Sequence, residues 1–467
     1  MKEVYTDGFF SVDGKHGFLP IKAPLNELPH KYDDIQNLII NLPNVIKEKD
    51  KIIEEVNKIN NHKDLVENES DVFIIQSLYR AYSFITSAYL LESSYQEFLI
   101  SGDYGKARNL LPRNIAEPYN VVANKLNSKM WLDYHYAYSL GNYVKIDDSN
   151  GLDWRNLGMA CSFTGGSDEI GFIMVHVYIN ELSPKLISCI YNILNCNRDN
   201  NSCNIINEEL FNLINTMKEI NKRRREMWQA SRHENYNDFR IFIMGVKGNN
   251  TIFGDGVIYE GVTDEPVAYR GQTGAQDDII PTMDILTGVI NFYPNNELTK
   301  YLYELREYRP ICVQEFFNDL RNEMSSFGDK GLFNLLEKTN NLEGMVLLIQ
   351  LIEEIYHFRN GHWQFVQKYI MANTRYAFAT GGTPITSWLI NQIEACLYSQ
   401  KVILEYLSSR RSEIENKKNV GELHENWENK KKLLEKQVEE LSKVNYNIKL
   451  IHNLNIEMNL DDEKSFE

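Results

Sequence analysis

Histidine is the side chain whose placement in this sequence first suggests chemistry. His362 lies in R-N-G-H-W-Q-F-V-Q-K-Y-I, with Arg359 three residues before it and Val366 four after, so all three share one helix face. A neutral imidazole there can ligate a metal through one nitrogen, while the other needs an acceptor to set its tautomer. The commoner fate of such a residue is a satisfied core histidine. His357, on the same helix pattern, and His176, in an apolar run, carry the same two readings. Gly271 and Gly274 in G-Q-T-G, and Gly381-Gly382 in T-G-G-T, either let backbone approach a ligand or merely turn the chain. The sequence has no Walker loop, no H-E-x-x-H and no dinucleotide fingerprint. Its six cysteines, Cys161, Cys189, Cys196, Cys203, Cys312 and Cys396, form no C-x-x-C pair, which fits reduced thiols in a cytoplasmic protein.

The elements that must hold these residues are mainly helical. After a turn-rich start (Gly8, Gly14, Gly17, Pro20, Pro24, Pro29), helical spacing runs from Asp34 to about Leu99. Leu110 to Tyr119, with Pro112 and Pro118, reads as a loop, and Val121 to Tyr143 as helix. Ile170 to Leu194 reads as one long apolar helix, and Glu208 to Arg232 as an exposed charged one. Gly254-Asp255-Gly256 reads as a turn between short extended pieces. Leu342 to Ile370 is the cleanest helix, with Val346, Ile349, Ile352 and Ile355 on its apolar stripe. The last 63 residues hold 14 acids and 11 bases, with Leu434, Val438, Leu441 and Ile448 near heptad spacing. They predict a helical extension, either a short coiled coil or a solvated helix laid on the body.

The chain has 467 residues and a net charge of −16, which argues against nucleic acid or an anionic membrane as partner. No secretory signal is visible, and no apolar stretch approaches the ~18 residues that span a bilayer.

Read together, the motifs resemble the indoleamine 2,3-dioxygenase family. The opening G-F-L-P and P-L-N-E-L-P-H-K-Y are similar to its N-terminus, and Leu111 to Ala116 with Pro118-Tyr119 to its L-P-R-N-I-A-x-P-Y. Ser162-Phe163 and Gly171-Phe172 stand where the family has its distal helix. R-I-F-I-M-G-V-K-G-N, from Arg240, is similar to its R-I-Y-L-S-G-W-K-G-N. Asp255 to Gly261, Gly271 to Gln276, His362 in H-W-Q-F-V-Q-K-Y-I and Thr380 to Thr383 follow in the family's order, so the resemblance covers about residues 12 to 404.

The resemblance implies a mainly α fold. A small N-terminal α-rich domain (1–158) precedes a large helical haem domain (159–404) and a charged helical extension (405–467). It implies a haem b enzyme inserting both atoms of O₂ across the indole C2–C3 bond of tryptophan, giving N-formylkynurenine at the start of the kynurenine route. L-tryptophan or a related indoleamine, O₂ and a reductant keeping haem ferrous are the implied partners, for a monomer or a weak oligomer paired through the C-terminal helix. His362 would be the iron ligand, with Arg359 paired to Asp284 near a haem propionate. Arg240 would bind the substrate carboxylate, and Phe172 would wall the indole. Thr273 and Gly274 would line the distal side, while Thr380 and Gly381 would close over the amino acid.

Three departures stand out. His176 occupies the position of a serine in mammalian members, where an imidazole would hydrogen-bond the indole N–H. Asn235 falls where the family has a pocket phenylalanine, so either Tyr236 fills the wall or the pocket is more polar. The loop from Ile370 to Thr380 is short. Two other readings follow: a relative acting on a different indole, and a haem sensor or interaction protein without turnover.

Overall fold

The computed structural model describes residues 1–196, 202–373, 380, 385–414, 417–443 and 450–455. The turn-rich start forms an antiparallel pair, β1 (Tyr5–Thr6) and β2 (Ser11–Val12). Helices α1 (Asp33–Val45), α2 (Lys51–Val56) and α3 (Lys63–Glu67) lead to α4 (Val72–Ser101). The Asp71 carboxylate accepts from the Phe73 N–H and starts α4, and Gly102, at φ 79°, ends it. α4 is apolar on nearly every side because other elements surround it.

Here the structure departs from the sequence expectation. Leu110–Leu111 is a short strand, β3, but Arg113–Lys125 is a helix, α5, that absorbs Pro118. The helix expected from Val121 to Tyr143 stops at Lys125, and Tyr143–Lys145 is instead a strand, β4, paired with β5 (Leu157–Met159). The apolar run from Ile170 divides into α6 (Ser167–Asn180) and α7 (Ser183–Cys196), whose apolar faces read as one stripe across the break. Residues Ser202–Arg225 form α8, which buries one face against α16 and α7 and is not simply exposed.

Short helices α9 (Met227–Ala230), α10 (Asn237–Arg240) and α11 (Asn250–Phe253) carry the chain to β6 (Ile258–Tyr259), which pairs in parallel with β3. Then come α12 (Ile279–Thr287), α13 (Glu297–Arg306), α14 (Ile311–Phe327), α15 (Leu332–Lys338) and α16 (Leu342–Phe365). A π-helical turn at Val366–Met371 prolongs α16. α17 (Ile385–Ser409) and α18 (Lys417–Lys443) complete the described helices. One continuous apolar core runs from Tyr5 to Leu454, and among the described residues no helix is long and apolar enough to cross a membrane.

The C-terminal helix lies on the body. Val420, Trp427 and Leu434 are buried, and Trp427 Nε1 donates to the Leu397 carbonyl at 2.8 Å. Ile448 falls outside the described residues. Glu353 on α16 binds Lys430 of α18 and Gln400 of α17, tying three helices together. Burial works against its charge, but His357, Lys430 and Gln400 outweigh it and hold the carboxyl down to about 2. A depressed acid contributes stability that is present above its unfolded value and lost as pH falls through the folded one. Acidification from about pH 4.5 towards 2 should therefore release α18, at a cost of roughly 2–3 kcal/mol. Glu353→Gln should reproduce the release at neutral pH, seen as faster hydrogen exchange confined to α18; unchanged exchange there would refute it.

Candidate functional site

A cleft opens between α6, α16 and the segment 272–277. Phe172 and His176 line it from α6, His362 and Phe365 from α16, and Val366 and Tyr369 from the π-helical turn. A second cavity shares Gly274, Asp277, Phe358, His362 and Leu389 with the first and runs on to Asp284, Arg306 and Arg359. His362 faces both.

No hydrogen-bond partner for the His362 ring is found among the described residues. Burial, with Arg224 and His176 nearby, brings its pKa down to about 4, so at neutral pH it is a neutral base with a free lone pair. His357 points the other way, exposed and 3.1 Å from the Glu353 carboxylate. Periodicity left these two unresolved; packing separates them.

His176 is held through its other nitrogen. Nδ1 lies 3.0 Å from the Phe172 carbonyl, which only accepts, so Nδ1 carries the proton and Nε2 is the acceptor. Burial lowers the pKa of His176, and Asp277 partly opposes that. Asp277 is itself fixed by Tyr134 and Asn180, each donating at 2.7 Å. Beyond it, Asp278 accepts from His135 at 2.8 Å and from Arg309 at 2.6 Å, all three fully buried. Segment 273–278 is thereby clamped under the cleft.

Arg359 and Asp284 form a buried pair, Nη2 to Oδ2 at 2.5 Å, joined by the Tyr293 hydroxyl at 2.5 Å and by Cys396 Sγ at 2.9 Å from Nη1. Burial works against the guanidinium charge, but Asp284 and its neighbours raise the Arg359 pKa well above its usual value.

The remaining expected site residues fall into two groups. Phe172, Tyr236, Thr273, Gly274 and Thr380 line the cleft. Phe172 rests 5.0 Å from the Tyr236 ring and 5.8 Å from His176, ring centre to ring centre. The Thr380 hydroxyl donates to the Gln272 carbonyl at 2.7 Å. Asn235 and Arg240 do not line it. The Asn235 amide turns away and donates to Asp168 at 2.7 Å, so Tyr236 fills the wall. Arg240 is fully buried one layer behind Tyr236, its Nη1 3.4 Å from the Tyr104 hydroxyl. Gly381 lies outside the described residues. The glycines of G-Q-T-G divide similarly: a Cβ on Gly271 would collide with the backbone at Gly245, whereas one on Gly274 would meet His176 Nε2 at 3.9 Å. Gly271 serves chain packing, and Gly274 faces the cleft.

Sequence reading missed Arg224, Arg306, Asp277 and Tyr369, all of which line these cavities. The one local signal was Gly361, a glycine inside an apolar helix, where a Cβ would overlap the Arg224 guanidinium.

A helical body in which one neutral imidazole faces two joined cavities, one of them edged with arginines, offers a nitrogen donor beside apolar and cationic walls. The family model described as Indoleamine 2,3-dioxygenase matches residues 7–428, reaching into α18. Indoleamine 2,3-dioxygenase 1 of Rattus norvegicus is 28% identical over 317 residues, 67% of this chain and 73% of the relative. Indoleamine 2,3-dioxygenase 2 of Mus musculus is 24% identical, over 80% of this chain and 87% of its own. Indoleamine 2,3-dioxygenase of Saccharomyces cerevisiae is 24% identical, over 78% and 79%. The chain belongs to the indoleamine 2,3-dioxygenase family, whose members are haem-dependent dioxygenases acting on indoles.

The residues present fit haem. His362 is a single nitrogen donor without a competing hydrogen bond among the described residues, and it would be free to hold the iron. Phe358, Phe365, Val366 and Leu389 offer apolar surface to a macrocycle. At the second cavity's edge, Arg306 Nη1 is buried with no hydrogen-bond partner among the described residues, which suits a propionate carboxylate.

Proposed function

We propose that the protein is a haem-dependent dioxygenase that opens the indole C2–C3 bond of L-tryptophan to give N-formylkynurenine, the entry to kynurenine chemistry. The chemistry supplied by bound haem is the activation of O₂ for insertion of both atoms into the ring. His362 would hold the iron, with Arg359, fixed by Asp284, and Arg306 towards the carboxylate edge. Phe172 and Tyr236 would flank the indole, and Thr273, Gly274 and Thr380 would close the cleft against water. Arg240, permanently charged and anchored at Tyr104, would receive the substrate carboxylate past the edge of Tyr236.

The observation that carries the reading is His176. Its Nδ1–H is committed to the Phe172 carbonyl, so Nε2 offers the cleft an acceptor, and the indole N–H is the donor it fits. Reduced holoprotein under ¹⁸O₂ should convert L-tryptophan to N-formylkynurenine carrying two labelled oxygens. His176→Phe should lower kcat/KM for tryptophan about tenfold, the worth of one such hydrogen bond, and leave 1-methyltryptophan unaffected. One labelled oxygen, or no product from haem-loaded protein, would overturn the assignment, and equal losses on both substrates would remove the role of His176.

A further inference from the structure

Arg224, the next-to-last residue of α8, is a charge that the reaction outlined above leaves unused. It is 8% exposed and stands by two rings, its guanidinium carbon 5.6 Å from the Phe358 centroid and 5.4 Å from that of Phe365. Among the described residues its one hydrogen bond is long, Nε to Asn221 Oδ1 at 3.5 Å. Among the described residues no carboxylate pairs with it. Glu354, which shares its outer pocket, accepts instead from Asn221 Nδ2 at 3.0 Å. Of its neighbours in α8, Lys222 pairs with Glu219 and Arg223 with Glu181, whereas Arg225 pairs with no carboxylate among the described residues but is exposed to water. In a chain of net charge −16, a buried cation that pairs directly with no acid among the described residues is conspicuous.

The fold makes room for this charge. Gly361, adjacent to His362, is the position where any side chain would overlap the guanidinium. Arg224 lines the same cleft as His362, and it also lines an outer pocket with Asn221, Asn360 and Gln364, so it stands between that cleft and the surface. A buried charge without a counter-charge costs stability, and such a cost is typically retained where a function needs the field.

We propose that Arg224 is a positioning residue for charge: it stabilises the ferrous over the ferric form of the haem held by His362. The inference rests on the haem reading above. One-electron reduction removes a positive charge from the iron centre, so a fixed cation beside it repels the oxidised form more. The ferrous form is the one that takes O₂, and a site held towards it needs less of its reductant.

The test uses full-length protein loaded with haem and titrated between dithionite and ferricyanide. Arg224→Gln and Arg224→Met should lower the ferrous-to-ferric ratio at a fixed ambient potential about tenfold. Arg224→Lys should stay near wild type, as should the control Arg225→Gln, and the His-ligated haem spectrum should be kept throughout. An unchanged ratio in both neutral variants, or an equal loss in Arg224→Lys, overturns the proposal. Thermal unfolding of the apoprotein guards against a packing effect: the neutral variants should be no less stable than wild type, and clear destabilisation would make Arg224 structural. Should the wild-type chain take up no haem, the haem reading itself fails and takes this inference with it.

Discussion

His362→Ala should yield a folded protein that does not retain haem. The imidazole is the single nitrogen donor facing both cavities, and no other described histidine shares that position. Haem occupancy after gel filtration should fall by more than about tenfold, because the remaining contacts are apolar walls and edge arginines. The fold should survive, since the ring has no described hydrogen bond to lose and its burial as a base brings its pKa down to about 4. Far-ultraviolet circular dichroism of the apoprotein should therefore match wild type, and added imidazole should restore part of the haem spectrum by occupying the space left behind. His357→Ala should bind haem normally, because that ring is exposed and paired with Glu353. Haem retained by His362→Ala with an unaltered spectrum would defeat the assignment.

Asp284→Asn should be the most destabilising of these substitutions. It leaves the Arg359 guanidinium, 3% exposed, without its carboxylate in a region already closed by Tyr293 and Cys396. Removing one member of a buried pair costs about 3–5 kcal/mol, far more than the pair's net worth. Arg359→Met alone should cost less, because the remaining acid can take up a proton and keep its Tyr293 contact. The double variant Asp284→Leu/Arg359→Met should recover much of the loss, giving a coupling energy of several tenfold factors in a mutant cycle of urea unfolding. Single costs below about 1 kcal/mol would mean that solvent reaches the pair and screens it. Because the pair lines the second cavity beside His362, haem affinity should also fall in each single variant that still folds.

Both predictions draw on residues visible in the sequence only as members of a motif set. Their order along the chain is what marks the family, and eight separated segments in one order carry far more information than any one of them. Helical periodicity placed His362 and Arg359 on one face but left His357 open, because a helix pattern reports burial and not which neighbour lies across the interface. The break between α6 and α7 went unread because both helices present apolar faces of the same spacing on either side of Glu181 and Leu182. Pro118 reads as a loop signal, yet a proline inside a helix removes only one backbone hydrogen bond, and α5 accommodates it at its sixth residue. The orientation of Asn235 was equally hidden, since its partner Asp168 lies 67 residues away.

Fold class, the histidine that faces both cavities and some of the cleft's polar residues, His176, Thr273 and Thr380 among them, were thus legible in one dimension, because each is written in local spacing or in a motif of contiguous residues. The clamp His135–Asp278–Arg309, the orphaned nitrogen of Arg306 and the cavity cut by Gly361 for Arg224 were not. Each joins residues between 31 and 143 positions apart, or a glycine to a side chain on another helix, through burial and charge that exist only once the helices are packed. Electrostatic interactions strengthen as water is excluded, and which groups lose their water is a property of the assembled core and of no segment within it.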